Sequence, residues 1–262
     1  MLTGIIAIFF YLGAAGYITS RLHKQQGPNI KIIAVLAAIS LLTHLATLSN
    51  EIFIAPGQNM SMLNVASLLT WVIAISMSLA SYTMSSAILL PVVYSSAALA
   101  LLAGLLIPTT HIVHFELRPN LIIHITLALL AYGCLVIALL YALQTSYINA
   151  RLKQKQASLL HSSLPPLMQV ETILFKLLAT GTLLLTLSLI SGFVFLDNMF
   201  DKEQAHKTVL SIVAWGIFCL TLFGHYRLGW RRKTLVSMTI AGTAILTLAY
   251  FGSRFVKEVI LS

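Results

Sequence analysis

The sequence predicts an all-α fold: a polytopic transmembrane bundle of about eight helices with both termini periplasmic. Three observations carry this. Of the 262 residues, 58% are hydrophobic and only 9% charged, where a soluble domain carries about 25% charged residues. Mean hydropathy is +0.93. The apolar residues are gathered into runs of about 20, the length needed to cross the hydrocarbon core of a bilayer. A soluble enzyme, a disordered tail and a DNA-binding module are excluded together. The formal charge of +9 comes from sixteen Lys and Arg residues that sit in short runs between apolar stretches. Such placement is the orientation signal of a membrane protein, not a phosphate groove, so no nucleic-acid partner is expected.

Taken in order, the apolar runs predict helices near Leu2 to Ser20, Ile32 to Ser49, Met62 to Ser81, Ser86 to Ile107, Leu121 to Leu143, Ile173 to Leu196, Thr208 to His225 and Leu235 to Phe255. The first enters the membrane at Leu2 without a basic segment or a small-residue cleavage site, which reads as a retained helix and not a signal peptide. The longest polar break, Gln144 to Val170, carries Arg151, Lys153, Lys155 and the pair Pro165-Pro166. It is expected to be a cytoplasmic loop within a single membrane domain spanning residues 1–262. Most of the cationic residues, among them Arg21, Lys24, Lys31, Arg151, Lys153, Arg227 and Arg231, follow the first, third, fifth and seventh runs. Those loops are expected in the cytoplasm. The surrounding lipid is the first expected partner, and a bacterial cytoplasmic membrane the location.

Ionisable residues inside apolar spans are costly and default to a functional reading. The chain has eight histidines against seven acids. His44 lies about 8 Å and His124 about 6 Å below the same predicted boundary, at about 1.5 Å of rise per residue. Two imidazoles at one level could hold a haem iron from opposite faces, because neutral imidazole is a standard axial ligand. Non-covalent haem b is therefore the expected cofactor, with His44 and His124 as its iron ligands. Arg118 is placed to meet the propionates, and Trp71 and Trp215 lie deep enough to wall a porphyrin. The bland reading stands beside this one: a membrane histidine is often a hydrogen-bond partner of a neighbouring helix. His225 ends its span beside Tyr226 and Arg227, where an interfacial histidine needs no function.

Other chemistries are poorly served. Cys134 and Cys219 stand alone in apolar runs and read as small core residues. A zinc site would have to draw on His111, His114, Glu116 and His124 in a loop broken by Pro108 and Pro119. No phosphate loop, HExxH or nucleophile triad is present, and no enzyme activity is expected. Ion transport would ordinarily need a buried carboxylate and paired broken helices. Here Pro91 is the one proline well inside a predicted span, and no Asp or Glu lies mid-membrane.

Several motifs resemble the cytochrome c assembly family, the membrane haem-handling proteins of CcsA, CcmC and HemX type. They are Ala214-Trp215-Gly216-Ile217-Phe218, Gly224-His225-Tyr226-Arg227, Gly229-Trp230-Arg231 and Ala249-Tyr250-Phe251-Gly252. The block from Leu164 to Gly192, closing in Ser-Gly, the helix start Met62-Leu63-Asn64-Val65-Ala66-Ser67, and His124 with Ala131-Tyr132-Gly133 extend the likeness. The resemblance implies haem binding in a helical bundle that serves cytochrome c maturation, with His124 at an outer site and His225 at a deeper one. Family members that deliver haem carry a tryptophan-rich outer segment. The corresponding Asp197 to Lys207 has no tryptophan, and Leu261 stands near the place of a second outer histidine. This reduced form is similar to HemX-type members and implies an accessory role, with other membrane proteins of haem metabolism as partners. The alternative from a different class is a cofactor-free regulatory or interaction subunit.

Overall fold

The computed structural model describes residues 1–22, 24, 27–54, 57–83, 88–107, 109–114, 119–153, 166–195, 205–230 and 232–252. Among them are eight α-helices: α1 (Leu2–Arg21), α2 (Ile30–Ile52), α3 (Met62–Thr83), α4 (Leu90–Leu106), α5 (Pro119–Lys153), α6 (Leu167–Phe195), α7 (Ala205–Leu228) and α8 (Arg232–Thr247). A π-helical turn, Leu248–Gly252, continues α8. Seven spans are long and apolar enough to cross a membrane, the last of them, Lys233–Gly252, joining α8 to the π turn; α4, with 17 residues, is shorter than these. The chain is a multi-pass membrane protein.

It divides into two compact units: residues Met1–His114 with Arg151–Pro165, and residues Phe115–Ala150 with Pro166–Ser262. The first is the bundle α1–α4. Its interior combines small residues, Ala7, Ala14, Ala37, Ala97 and Ala98, with the buried rings of Tyr11 and Tyr94, while Phe9, Leu42 and Leu99 are exposed. Small residues inside let membrane helices approach closely. A three-stranded antiparallel sheet caps one end, with β1 (Phe53–Ile54), β2 (Gly57–Asn59) and β3 (Ile112–Val113) in that order. Asn59 holds the cap by accepting from the His111 and Ser61 amides and donating to the Thr109 carbonyl. Asn64, one turn into α3, donates to the carbonyls of Glu51 and Asn59.

The second unit is built from α5, α6, α7, α8 and the π turn. Gly181 of α6 lets α5 approach so closely that a Cβ there would stand 2.8 Å from Leu135 Cγ. At the end of α7, Gly229 adopts φ 58°, a left-handed conformation that costs side-chain-bearing residues about 1 kcal/mol or more. The chain thereby turns back, Trp230 donates its amide to the Gly224 carbonyl at 3.0 Å, and the indole lies over Gly224.

Two expectations are corrected. Residues 144–153 are not a loop: α5 runs to Lys153, 35 residues in all, and Gln144 and Thr145 are buried. Hydropathy reports where the chain stops being apolar, not where its backbone stops being helical, and nothing between Gln144 and Lys153 breaks a helix. Pro91 is not inside a span. It occupies the first turn of α4, where its missing N–H leaves no intrahelical bond unmade.

Candidate functional site

The second unit presents His124 on the first turns of α5, half-buried. Its Nδ1 lies 3.0 Å from the Ser188 carbonyl oxygen and 3.1 Å from Ser191 Oγ, both on α6. The Ser191 hydroxyl donates its proton to that same Ser188 carbonyl at 2.8 Å. Nδ1 therefore faces a carbonyl and a hydroxyl lone pair, acceptors only, and must itself carry the proton. Nε2 is left with its lone pair, and no hydrogen-bond partner meets it among the described residues. A ligating histidine has this construction: one nitrogen tied to a carbonyl fixes the tautomer and the ring, and the other is presented to a metal.

The unit carries further polar and aromatic groups. Ser188 is also the hydrogen-bonding partner of the Tyr250 side chain. The ring of Tyr250 packs 5.2 Å from that of Tyr132, whose hydroxyl bonds Thr247 Oγ1 at 2.8 Å. Phe251 lies 5.9 Å from Tyr132. The π turn brings Tyr250 and Phe251 to this cluster, and such turns recur at functional sites. Trp215 donates its indole N–H to Thr186 Oγ1 at 2.8 Å, tying α7 to α6. His225, near the other end of α7, stacks on Phe175 with ring centroids 3.4 Å apart and planes 9° apart, and Tyr226 meets its edge at 5.0 Å. One face of His225 is thereby covered by a ring.

His44 has different surroundings. It sits fully buried in the first unit, with Nδ1 3.1 Å from the Tyr11 hydroxyl and Nε2 2.9 Å from Ser67 Oγ. Both ring nitrogens are engaged by hydroxyls, so this ring offers no lone pair to an iron unless one of those bonds breaks. Trp71 donates to the Leu41 carbonyl at 2.9 Å and serves to join α3 to α2. The expected pair His44 and His124 thus divides between two units, one ring presented and one enclosed. Arg118 lies outside the described residues.

Of the residues weighed for zinc, His111 and His114 flank β3, and Glu116 lies outside the described residues. Among the described residues no group of three His, Cys, Asp or Glu side chains comes together. The residues that build the candidate site and were not singled out as ligand supports are Ser188, Ser191, Tyr250 and Thr247. Two of them had a signal, Ser191 as the Ser of the closing Ser-Gly and Tyr250 within Ala249-Tyr250-Phe251-Gly252.

Comparison with known proteins settles the family. The model of the cytochrome c assembly protein family matches residues 5–261. The chain belongs to the cytochrome c assembly protein family. Inner membrane protein YpjD of Escherichia coli (strain K12) is 38% identical over 260 residues, covering 98% of both chains. The protein of the same name in Escherichia coli O157:H7 matches to the same extent. An uncharacterized 28.8 kDa protein of Azospirillum brasilense is 28% identical over 141 residues, 53% of this chain and 52% of its own. No solved structure matches the chain. Within the family motifs, Asn64 secures the cap, Ser67 binds His44, and Gly224, Gly229 and Trp230 form the α7 turn.

Proposed function

We propose that this member of the cytochrome c assembly family binds haem b non-covalently and acts as an accessory in haem handling, not as a ligase or any other enzyme. Its place is the bacterial inner membrane, as the name of its Escherichia coli relatives says of them, with both termini outside the cytoplasm. The observation that carries the reading is the fixed tautomer of His124, whose Nδ1 sees only acceptors and whose Nε2 is unpartnered among the described residues. His124 would hold the iron through Nε2, and Ser188 and Ser191 would keep the ring from turning. The arginine proposed for the propionates is Arg118, and the ligand proposed for a second, deeper site is His225. Bound haem would supply a redox-active iron. Other membrane proteins of haem metabolism are the proposed partners.

Absorbance of the purified protein tests this. Protein made in haem-replete cells is expected to show a Soret band that His124→Ala abolishes and His225→Ala only diminishes. A preparation that stays colourless after hemin is added overturns the proposal. It would favour a cofactor-free interaction subunit, the reading to which the doubly bonded His44 already corresponds.

A further inference from the structure

The turn between α1 and α2 gathers cations that the protein itself does not neutralise. Arg21 ends α1, Lys24 follows in the turn, and Lys31 lies in the first turn of α2. The unit that contains them has a single acid, Glu51, at the far end of α2. Lys31 and Glu51 stand 20 positions apart, about 30 Å at helical rise and so a full hydrocarbon core away. Arg21, Lys24 and Lys31 make no ion pair among the described residues.

The turn is held in one shape, and Tyr17 is its hub. The Asn29 amide donates to the Tyr17 hydroxyl at 3.2 Å, which fastens the entry of α2 to the exit of α1. The Arg21 guanidinium lies over the Tyr17 ring, 5.8 Å from its centroid. The Lys24 amide donates to the Arg21 carbonyl and the Gly27 amide to the Lys24 carbonyl, with Gly27 at φ 61°, a conformation that glycine adopts without strain. Because Tyr17 accepts from Asn29, its own proton is left to give, and it meets no acceptor among the described residues. Lys24 and Lys31 are exposed. Three cations and one phenolic proton thus share a turn at the level where a 20-residue helix leaves the hydrocarbon.

We propose that this turn binds the phosphate of an anionic phospholipid headgroup. Its level in the membrane selects the ligand, because headgroup phosphates are the anions concentrated at that boundary, and each Lys or Arg there adds to the attraction. Arg21 supplies the fork of N–H donors that fits phosphate oxygens, and its contact with the Tyr17 ring consumes none of them. Tyr17 adds a neutral donor beside it. Lys24 and Lys31 supply point charges. A lipid of net negative charge is favoured over phosphatidylcholine, whose choline carries its own countercharge. Orienting a chain by its positive residues needs only the charges; the fastening at Tyr17 gives two of these donors a common place.

Mass spectrometry of the intact full chain in detergent, titrated with phosphatidylglycerol or with phosphatidylcholine, tests this. Phosphatidylglycerol is expected to bind the more tightly. Arg21→Gln and Lys24→Gln are each expected to weaken it about 5-fold, the value of one cation at an anionic surface, and to leave phosphatidylcholine unchanged. Tyr17→Phe keeps the ring and loses the phenolic proton, and is expected to weaken phosphatidylglycerol as well. Lys24 is exposed and lies outside the helices, so a loss there does not report a failure to fold. Equal affinity for the two lipids overturns the proposal, and so does a phosphatidylglycerol affinity that Arg21→Gln and Lys24→Gln both retain. An equal loss in Lys233→Gln, on the other unit, overturns it too, since the attraction would then belong to the whole charged surface. Inorganic phosphate that displaces the lipid at equal concentration would assign the turn to a free anion and overturn the lipid.

Discussion

The Ser191 hydroxyl has a single proton and gives it to the Ser188 carbonyl; what it offers His124 is a lone pair. Ser191→Ala removes one of two acceptors from Nδ1 while the carbonyl remains. Loss of such a supporting bond typically weakens metal affinity by about 10-fold or more. Hemin titration of Ser191→Ala is therefore expected to give a dissociation constant about 10-fold higher, and Ser191→Thr, which keeps the oxygen, is expected to restore it. The two tryptophans expected as porphyrin walls also join helices. Each spends its N–H on a neighbouring helix, Trp215 on Thr186 and Trp71 on Leu41. Trp215→Phe keeps most of the ring and loses the bond, so a stability loss of about 1 kcal/mol is expected from denaturation in detergent. His124 was legible as a candidate because a lone imidazole in an apolar run stands out. Its tautomer was not, because the atoms that fix it sit on another helix, 64 positions along the chain.

Helices as elements were almost wholly written in the apolar runs, since a bilayer demands a run of fixed length from each crossing. Their ends were not. The α5 backbone passes Leu143 into Gln144 and Thr145 and on to Lys153 without a break, and only a Gly or Pro would have announced one. Pro91 misled in the opposite sense: a proline in an apolar run marks the first turn of α4 as readily as a kink within it. Close approach between elements is set by single residues that hydropathy does not weigh. Gly181 is the clearest, with Leu135 and Cys134 against it. Gly181→Leu would force α5 and α6 apart and is expected to cost about 1–3 kcal/mol, read as a lowered midpoint in thermal denaturation.

At the scale of the molecule, the chain divides into two compact units, His44 enclosed in one and His124 presented by the other. The two are expected to fail separately. His44→Phe removes two interhelical bonds from α1–α4 and is expected to lower that unit's stability while leaving haem absorbance intact, the reverse of His124→Ala. Limited proteolysis alongside the Soret band would separate the two effects, with cleavage expected first among α1–α4. Composition established that the protein lives in a bilayer, and the family motifs established its kinship. The division into units had no sequence signal, because the polar stretch that suggested a break is helical as far as Lys153 and no internal repeat marks the halves.

The π turn at Leu248–Gly252 adds one residue to a helical circuit, and the angular phase of everything downstream shifts by about 100° for each residue added or removed. Shortening the chain by a single codon there would swing Tyr250 and Phe251 away from Tyr132 toward lipid without altering any side chain's identity. A one-residue gap in an aligned homologue at this place would therefore rewire the aromatic cluster as thoroughly as several substitutions, and would be easily overlooked by anyone comparing letters alone.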